Sequence, residues 1–194
     1  MKYKVKGMLL MLIAVLSAIL LNSCRDELEV YKIQRIGVFS FSNDKLNTQY
    51  AEAVHFYQGK SVLHYYADGS SELLSRVLLT ADGINTAGNS FTVNIELDVV
   101  KDGDFIGIYK PQYEKHLGGI HTFNYLEKIT DSTYKSYNLD PAAIEYAFMR
   151  IDRQNMEEKL ILGDFFASMQ NDQETSEKLI FFEGTFKDIY YGPQ

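Results

Sequence analysis

The nine residues from Phe91 to Val99 constrain the fold of this chain more than any other segment. Five apolar side chains alternate there with four polar ones without a break. Successive side chains of a β-strand point to opposite faces, so a strict period of two is typical of a strand with one buried face and one solvated face. The segment therefore predicts a half-buried strand.

Similar but weaker runs flank this strand. They predict further strands over 36–41, 52–57, 62–66, 73–79, 105–110, 121–126, 160–169, 179–186 and 189–191. Asp-Gly pairs at 68–69, 82–83 and 102–103 suit the positive φ of tight turns, and Gly59, Gly88 and Gly118–Gly119 mark other gaps. Because no strand–helix alternation appears, the fold class is all-β, an antiparallel β-barrel or β-sandwich.

One segment, 140–151, fits two structures. Asp140 followed by Pro141 is typical of a helix start, and the apolar residues at 144, 147, 148 and 151 have helical spacing. The same residues also fit a strand that is buried on both faces. We favour the strand and keep one short helix near 140–151 as the alternative.

The N-terminus predicts export. Three lysines precede an uncharged, mostly aliphatic run from Gly7 to Ser23, which is the composition of a secretory signal. A helix of that length spans roughly 26 Å, short of the ~30 Å hydrocarbon core, so a permanent membrane span is disfavoured. The run ends at Leu21-Asn22-Ser23-Cys24, which resembles a bacterial lipobox, with Leu21, Ser23 and Cys24 as the recognised positions.

That resemblance implies cleavage before Cys24 and acylation of its thiol and amine, which gives stable anchoring through several acyl chains. Asp26, Glu27 and Glu29 resemble the acidic tether of surface-exported Bacteroidetes lipoproteins; an ordinary solvated linker is the alternative. The predicted organisation is a signal peptide over 1–23, a lipidated cysteine with tether over 24–32 and a single β domain over 33–194. The whole chain has a net charge of -7; without 1–23 it is -10.

The two C-terminal predicted strands carry a repeated Gly-x-Phe motif. Leu160-Ile161-Leu162-Gly163-Asp164-Phe165 and Ile180-Phe181-Phe182-Glu183-Gly184-Thr185-Phe186 each place an apolar triplet before Gly-x-Phe. Glycine in a strand marks a bend or a closure. With the lipobox and tether, these motifs resemble small Bacteroidales outer-membrane lipoproteins that carry a domain of unknown function. The resemblance implies a lipocalin-like all-β meander that is anchored to the outer membrane at the cell surface, with the periplasmic face as the alternative. It supplies no catalytic residue.

Composition and motifs exclude several functions. An acidic chain lacks the basic surface that nucleic acid requires, and one cysteine cannot form an intrachain disulfide or a cysteine-rich zinc site. No nucleophile elbow is present, so we predict no enzyme, cofactor or metal.

The four histidines offer two weak metal pairs. His55 and His64 would face each other if 52–66 formed a hairpin at Gly59, and His116 and His121 flank a Gly-Gly pair; packing explains both pairs better. Asp98, Asp102 and Asp104 cluster but lack the order of a calcium loop.

Two other features predict sites. Asp131-Ser132-Thr133 resembles the O-glycosylation motif of secreted Bacteroidetes proteins, which makes Ser132 a candidate acceptor, with a simple turn as the alternative. The chain also has 14 Tyr and 12 Phe. Several of these rings could line a cavity for a small apolar or glycan ligand, although strand aromatics more often fill the core. They are Phe56, Tyr57, Tyr65, Tyr66, Tyr109, Tyr113, Phe123, Tyr125, Tyr134 and Tyr137.

The sequence thus favours a lipid-anchored envelope lipoprotein that acts as a non-enzymatic binding or interaction module. Two alternatives remain. A surface hydrolase of glycan or lipid would need two carboxyl groups about 5–9.5 Å apart in a cleft. A structural subunit of an envelope complex would expose a continuous apolar patch. The predicted partners are the membrane, through the acyl anchor, and an unidentified small ligand.

Overall fold

The computed structural model of the chain describes residues 37–43, 48–100 and 104–191. These residues lie in a compact unit, Arg35–Gln194. The strands are β1 (Val38–Asn43), β2 (Gln49–Tyr65), β3 (Ser71–Ile84), β4 (Ser90–Val100), β5 (Gly107–Tyr109), β6 (Gly118–Thr130), β7 (Thr133–Leu139), β8 (Phe148–Asn155), β9 (Leu160–Asn171) and β10 (Lys178–Tyr190).

The strands form one antiparallel sheet that closes on itself. Its order is β10-β1-β2-β3-β4-β6-β7-β9-β8-β5, and an additional pairing joins β10 to β9. Eight strands, all except β5 and β8, therefore make a closed ring, as the predicted all-β barrel class requires. Closure removes the unpaired edges that an open sheet would expose.

β5 and β8 form a side branch of the ring. One edge of β9 pairs with β7 at 169–171 and with β8 at 160–166, so the wall forks at this strand. β5 then pairs with β8 and lies beside the start of β6, where the Ile120 amide donates to the Lys110 carbonyl over 2.8 Å. The predicted simple meander is thus interrupted by one branch.

The segment 140–151 contains both of the structures that its sequence predicts, a short helical turn and a strand. Asp140 accepts a hydrogen bond from the Ala142 amide in a turn, and a single turn of 3₁₀ helix covers Ile144–Tyr146. The strand β8 begins at Phe148. The helix predicted as the alternative is therefore reduced to one turn, and the favoured strand starts later than predicted.

Aromatic and aliphatic side chains fill the barrel interior. The alternation predicted for 91–99 is confirmed, since all five apolar residues of that run are at most 3% exposed. On neighbouring strands, Phe39 stacks on Phe165 with centroids 5.0 Å apart, and Phe41 lies 4.8 Å from Phe181. The interior is a packed core along most of its length.

Two of the predicted turns lie inside strands, and one strand was not predicted from the sequence. Residues 52–66 form no hairpin at Gly59, because β2 runs unbroken through them with a register shift against β3 between Gln58 and Ser61. Asp82–Gly83 lies inside β3 and not in a turn. β7 was not predicted at all. The turn at Asp68–Gly69 is confirmed, with Gly69 at φ +82°.

The repeated Gly-x-Phe motif lies where β9 and β10 pair and close the ring. The register is reciprocal, with Gly163 opposite Phe186 and Gly184 opposite Phe165. A methyl group on Gly184 would come within 2.5 Å of the Phe165 ring. Each phenylalanine therefore lies over a glycine of the other strand, which lets the wall curve sharply.

The barrel has two distinct ends. We call the end at which β1 begins the entry end; it also carries the 66–70 turn. The opposite end, where β1 ends at Asn43, carries the turns 85–89, 131–132 and 172–177; we call it the mouth end. No helix among the described residues is long and apolar enough to cross a membrane.

Candidate ligand cavity at the mouth end

A cavity of about 240 Å³ opens at the mouth end of the barrel. Four strands supply its walls: β1, β6, β7 and β10. Its lining residues are Asn43, Tyr125, Glu127, Ile129, Lys135, Tyr137, Glu177 and Leu179. The volume is slightly below that of pockets for drug-sized ligands (~300–1,000 Å³), so the cavity suits a small molecule.

Two tyrosines form the inner wall of the cavity. Tyr125 and Tyr137 are each 1% exposed and lie with ring centroids 5.9 Å apart. The Tyr125 hydroxyl is buried and makes no well-formed hydrogen bond with the described residues. The side-chain amide of Asn85 lies nearby and by itself lowers the pKa of this hydroxyl. Burial, reinforced by the charge of Glu127, raises the pKa of Tyr125, so this phenol stays protonated and can donate to a ligand.

Glu127 brings a carboxylate to the mouth. It follows Phe123 and Tyr125 on the inward face of β6, because side chains two residues apart share a face. Its Oε1 accepts hydrogen bonds from Asn85 Nδ2 over 2.6 Å and from Asn89 Nδ2 over 2.9 Å. The 85–89 turn thus holds this carboxylate through neutral amides.

A second carboxylate, Glu177, is part of a paired network. Lys135 Nζ donates to both of its oxygens over 2.9 and 3.1 Å, and Asn171 Nδ2 donates to Oε2 over 3.2 Å. Burial, followed by a hydrogen bond to Glu177, raises the pKa of Tyr137. The positive charge of Lys135 is therefore neutralised within the cavity wall.

A second polar cluster lies on the outer wall, near the entry end. Asp98 is 1% exposed and accepts two hydrogen bonds from Arg76, over 2.8 and 3.0 Å, and one from the Tyr113 hydroxyl over 2.7 Å. The Tyr113 ring stacks on His64 with centroids 4.0 Å apart. These contacts fasten the segment 110–117 to the barrel wall, so we assign them to stability.

The predicted anchor residues Leu21, Ser23, Cys24, Asp26, Glu27 and Glu29 lie outside the described residues. Ser132 is exposed in the two-residue turn between β6 and β7, a position open to a modifying enzyme. Its glycosylation stays a prediction.

The structure separates the candidate metal pairs. His55 and His64 lie on the same strand and pair with Thr80 and Glu72 of β3, so they do not face each other. His116 lies in a turn and its Nδ1 is 3.3 Å from Glu72, whereas His121 lies on β6. No group of three potential metal-ligating side chains occurs among the described residues.

The aspartate cluster is also dispersed. Asp98 is held by Arg76, and Asp104 accepts a hydrogen bond from the Ile106 amide over 2.9 Å, as in a local turn. Asp102 lies outside the described residues.

Of the aromatic side chains predicted to line a cavity, Tyr125 and Tyr137 line the mouth-end cavity. Phe56, Tyr109 and Phe123 are core residues, and Tyr57, Tyr65 and Tyr134 are exposed on the surface. The prediction missed Asn43, Glu127, Lys135 and Glu177. One signal was available: a charged residue at the inward position of an alternating strand is an error of patterning unless it has a function.

No family model, curated protein or solved structure is significantly similar to this chain.

Proposed function

We propose that this protein is a lipid-anchored lipoprotein at the cell-surface face of the bacterial outer membrane, and that it binds a small ligand without transforming it. The observation that carries the proposal is the mouth-end cavity, in which two buried tyrosines, Ile129 and Leu179 supply apolar surface. Asn43, Lys135 and two glutamates supply its polar groups. A few placed polar groups in a concave, mostly apolar site are typical of ligand pockets.

The chain order supports an outward-facing site. Cys24 is separated from Val38 by 13 residues, which span at most about 45 Å when fully extended. The chain enters the barrel at the entry end, whereas the cavity opens at the mouth end. A tether at Cys24 therefore leaves the mouth free to face away from the membrane.

The hydrolase and the structural subunit stay predictions. Glu127 and Glu177 both line the cavity, and a hydrolase would need two such carboxyl groups. Glu177 is paired with Lys135, however, so we favour binding. The resemblance to Bacteroidales lipoproteins likewise stays a prediction.

Native mass spectrometry of the full chain tests both parts of the proposal. The protein is extracted in mild detergent from the envelope in which it is made. We expect covalent acyl mass that is lost in Cys24→Ala, and a non-covalent small molecule that is lost in Ile129→Trp, which fills the cavity mouth. Ile84→Trp is the matched control, because Ile84 is exposed near the same end but does not line the cavity.

Two results would contradict the proposal. Acyl mass that survives Cys24→Ala excludes the anchor at this residue. A bound molecule that persists in Ile129→Trp, or no bound molecule in any preparation, excludes the cavity as the ligand site.

A further inference from the structure

We propose that the mouth-end cavity selects a small molecule with an apolar body and a positively charged amine, and that Glu127 binds the amine. This inference rests on the proposed function and names its ligand class. It depends on the distribution of charge among the three ionised side chains that line the cavity: Glu127, Lys135 and Glu177.

Lys135 does not favour an anionic ligand. Its ammonium group contacts both carboxylate oxygens of Glu177, at 2.9 and 3.1 Å. An ion pair of this geometry already satisfies the cation, so an incoming anion would have to displace Glu177. Because Lys135 and Glu177 neutralise each other, Glu127 determines the net charge at the mouth of the cavity.

Lys135 lies directly opposite Glu127 on β7, but its ammonium group contacts Glu177 instead. Among the described residues, no ion pair joins Glu127 to a cation. Both hydrogen bonds that reach Glu127, from Asn85 and Asn89, come from neutral amides and end on Oε1. Its second oxygen, Oε2, makes no hydrogen bond or ion pair with a described residue. A carboxylate that is held only by neutral donors at the edge of a cavity is placed to bind a cationic ligand, because charge-assisted hydrogen bonds are about twice as strong as neutral ones.

The apolar side chains of the cavity determine which ligand body fits beside the amine. Leu179 and the rings of Tyr125 and Tyr137 offer apolar surface beyond the carboxylate. The buried Tyr125 hydroxyl is a second polar group without a well-formed hydrogen bond, next to Glu127 on the inward face of β6. A volume of about 240 Å³ limits the ligand to a single ring or a short chain.

Isothermal titration calorimetry with three probes of similar shape tests this selectivity. The probes are 2-phenylethylamine, the neutral 2-phenylethanol and the anionic 3-phenylpropanoate, added to the full chain at neutral pH. We expect the amine to bind about tenfold or more tightly than the alcohol, and the carboxylate to bind most weakly.

The variant Glu127→Gln isolates the charge. It keeps an amide oxygen for Asn85 and Asn89, and we expect it to lower the affinity for the amine about tenfold while the affinity for the alcohol changes less than about twofold. Glu174→Gln is the control, because it removes an equal charge at the same end from a residue that does not line the cavity.

Each outcome decides between the two proposals. If the alcohol and the amine bind the wild type equally, or if Glu127→Gln and Glu174→Gln weaken the amine equally, the amine inference is wrong and the proposed function stands. If none of the probes binds and the native protein also carries no ligand, both proposals are wrong.

Discussion

Glycines and phenylalanines face each other across strands at three positions of this barrel. In each pair the glycine leaves space that the aromatic ring of the neighbouring strand occupies, and an added methyl group would approach that ring to 2.7 Å or less. The pairs are Gly83–Phe91, Gly163–Phe186 and Gly184–Phe165. At these sites the absence of a side chain is itself a packing requirement.

Alanine at these glycines should destabilise the barrel in a defined order. In Gly163→Ala the new methyl would lie 1.8 Å from the Arg150 carbonyl oxygen, so the backbone itself must move. In Gly184→Ala it meets only the Phe165 ring, at 2.5 Å, and we expect a loss of about 1–3 kcal/mol, the usual cost of overpacking. Urea unfolding should rank Gly163→Ala as the less stable variant, and equal stability of the two would contradict this packing.

The buried ion pair on the outer wall gives a prediction about pH. Burial raises the pKa of Asp98, but the hydrogen bonds from Arg76 and Tyr113 together outweigh it, so the net pKa lies below the usual value. A depressed folded-state pKa stabilises the protein above the unfolded pKa, near 3.9, and that contribution disappears as the pH falls through the folded pKa.

Asp98→Asn should therefore cost about 1.5–3 kcal/mol at pH 7, the range for hydrogen bonds to charged groups. The difference from wild type should shrink as the pH falls below about 3.9. Urea unfolding at pH 7 and at low pH measures both values. A difference that stays constant over this range would mean that the ionised carboxylate is not what stabilises the wall.

At the scale of single elements, the two neighbouring strands β2 and β4 differ in how they are paired. β4 is paired with β3 and β6 along nearly its whole length. The described part of β1 pairs with β2 only at Gln49 and Tyr50, so among the described residues the outer edge of β2 from 51 to 65 has no partner strand. Strands with fewer pairings open locally at lower free energy.

Hydrogen exchange should reveal this difference. We expect backbone amides of β4 to be among the most protected in the protein, and those of β2 in 57–65 to exchange distinctly faster. Mass spectrometry of peptic fragments or NMR gives the comparison directly. Uniform protection of the two strands would show that another segment covers the edge of β2.

The alternation of apolar and polar residues predicted the strands that bury one face. It did not predict the strands and turns whose conformation depends on contacts with distant parts of the chain. Phe91–Val99 was predictable because its alternation reflects one buried face. Gly59 was misread as a turn, since a lone glycine in a strand marks either a turn or a close backbone approach, and here its methyl would lie 3.0 Å from the Arg76 carbonyl oxygen. β7 was not predicted because four of its seven residues are polar: Thr133, Lys135, Ser136 and Asn138. The consecutive polar pair Lys135-Ser136 breaks the alternation that would distinguish a strand from a loop.

The cavity was only partly predictable for the same reason. An excess of tyrosine and phenylalanine indicates that some rings line a pocket, and Tyr125 and Tyr137 do. Which rings these are depends on the register of β6 against β7, where Tyr125 lies directly opposite Tyr137. That register, and with it the position of Glu127 at the mouth, is a property of the closed ring and not of any single segment.

At the scale of the whole molecule, the proposed function depends on one geometric relation. The proposed tether would join the barrel at the entry end, and the proposed ligand would enter at the mouth end. β3 connects the two ends, from the turn that contains Ala67 to the turn that contains Ala87. Its 14 residues, at ~3.3 Å each and tilted as barrel strands are, separate these turns by roughly 30 Å along the barrel axis.

Resonance energy transfer in proteoliposomes measures this relation most directly. The full chain, in which the proposed acyl group would block Cys24, carries a fluorophore on either Ala67→Cys or Ala87→Cys; both positions are exposed. Acceptors are placed on the lipid headgroups. The account predicts strong transfer from position 67 and weak transfer from position 87. Stronger transfer from position 87 would place the mouth of the cavity against the membrane, and equal transfer would mean that neither end faces it preferentially; either result would contradict the proposed orientation.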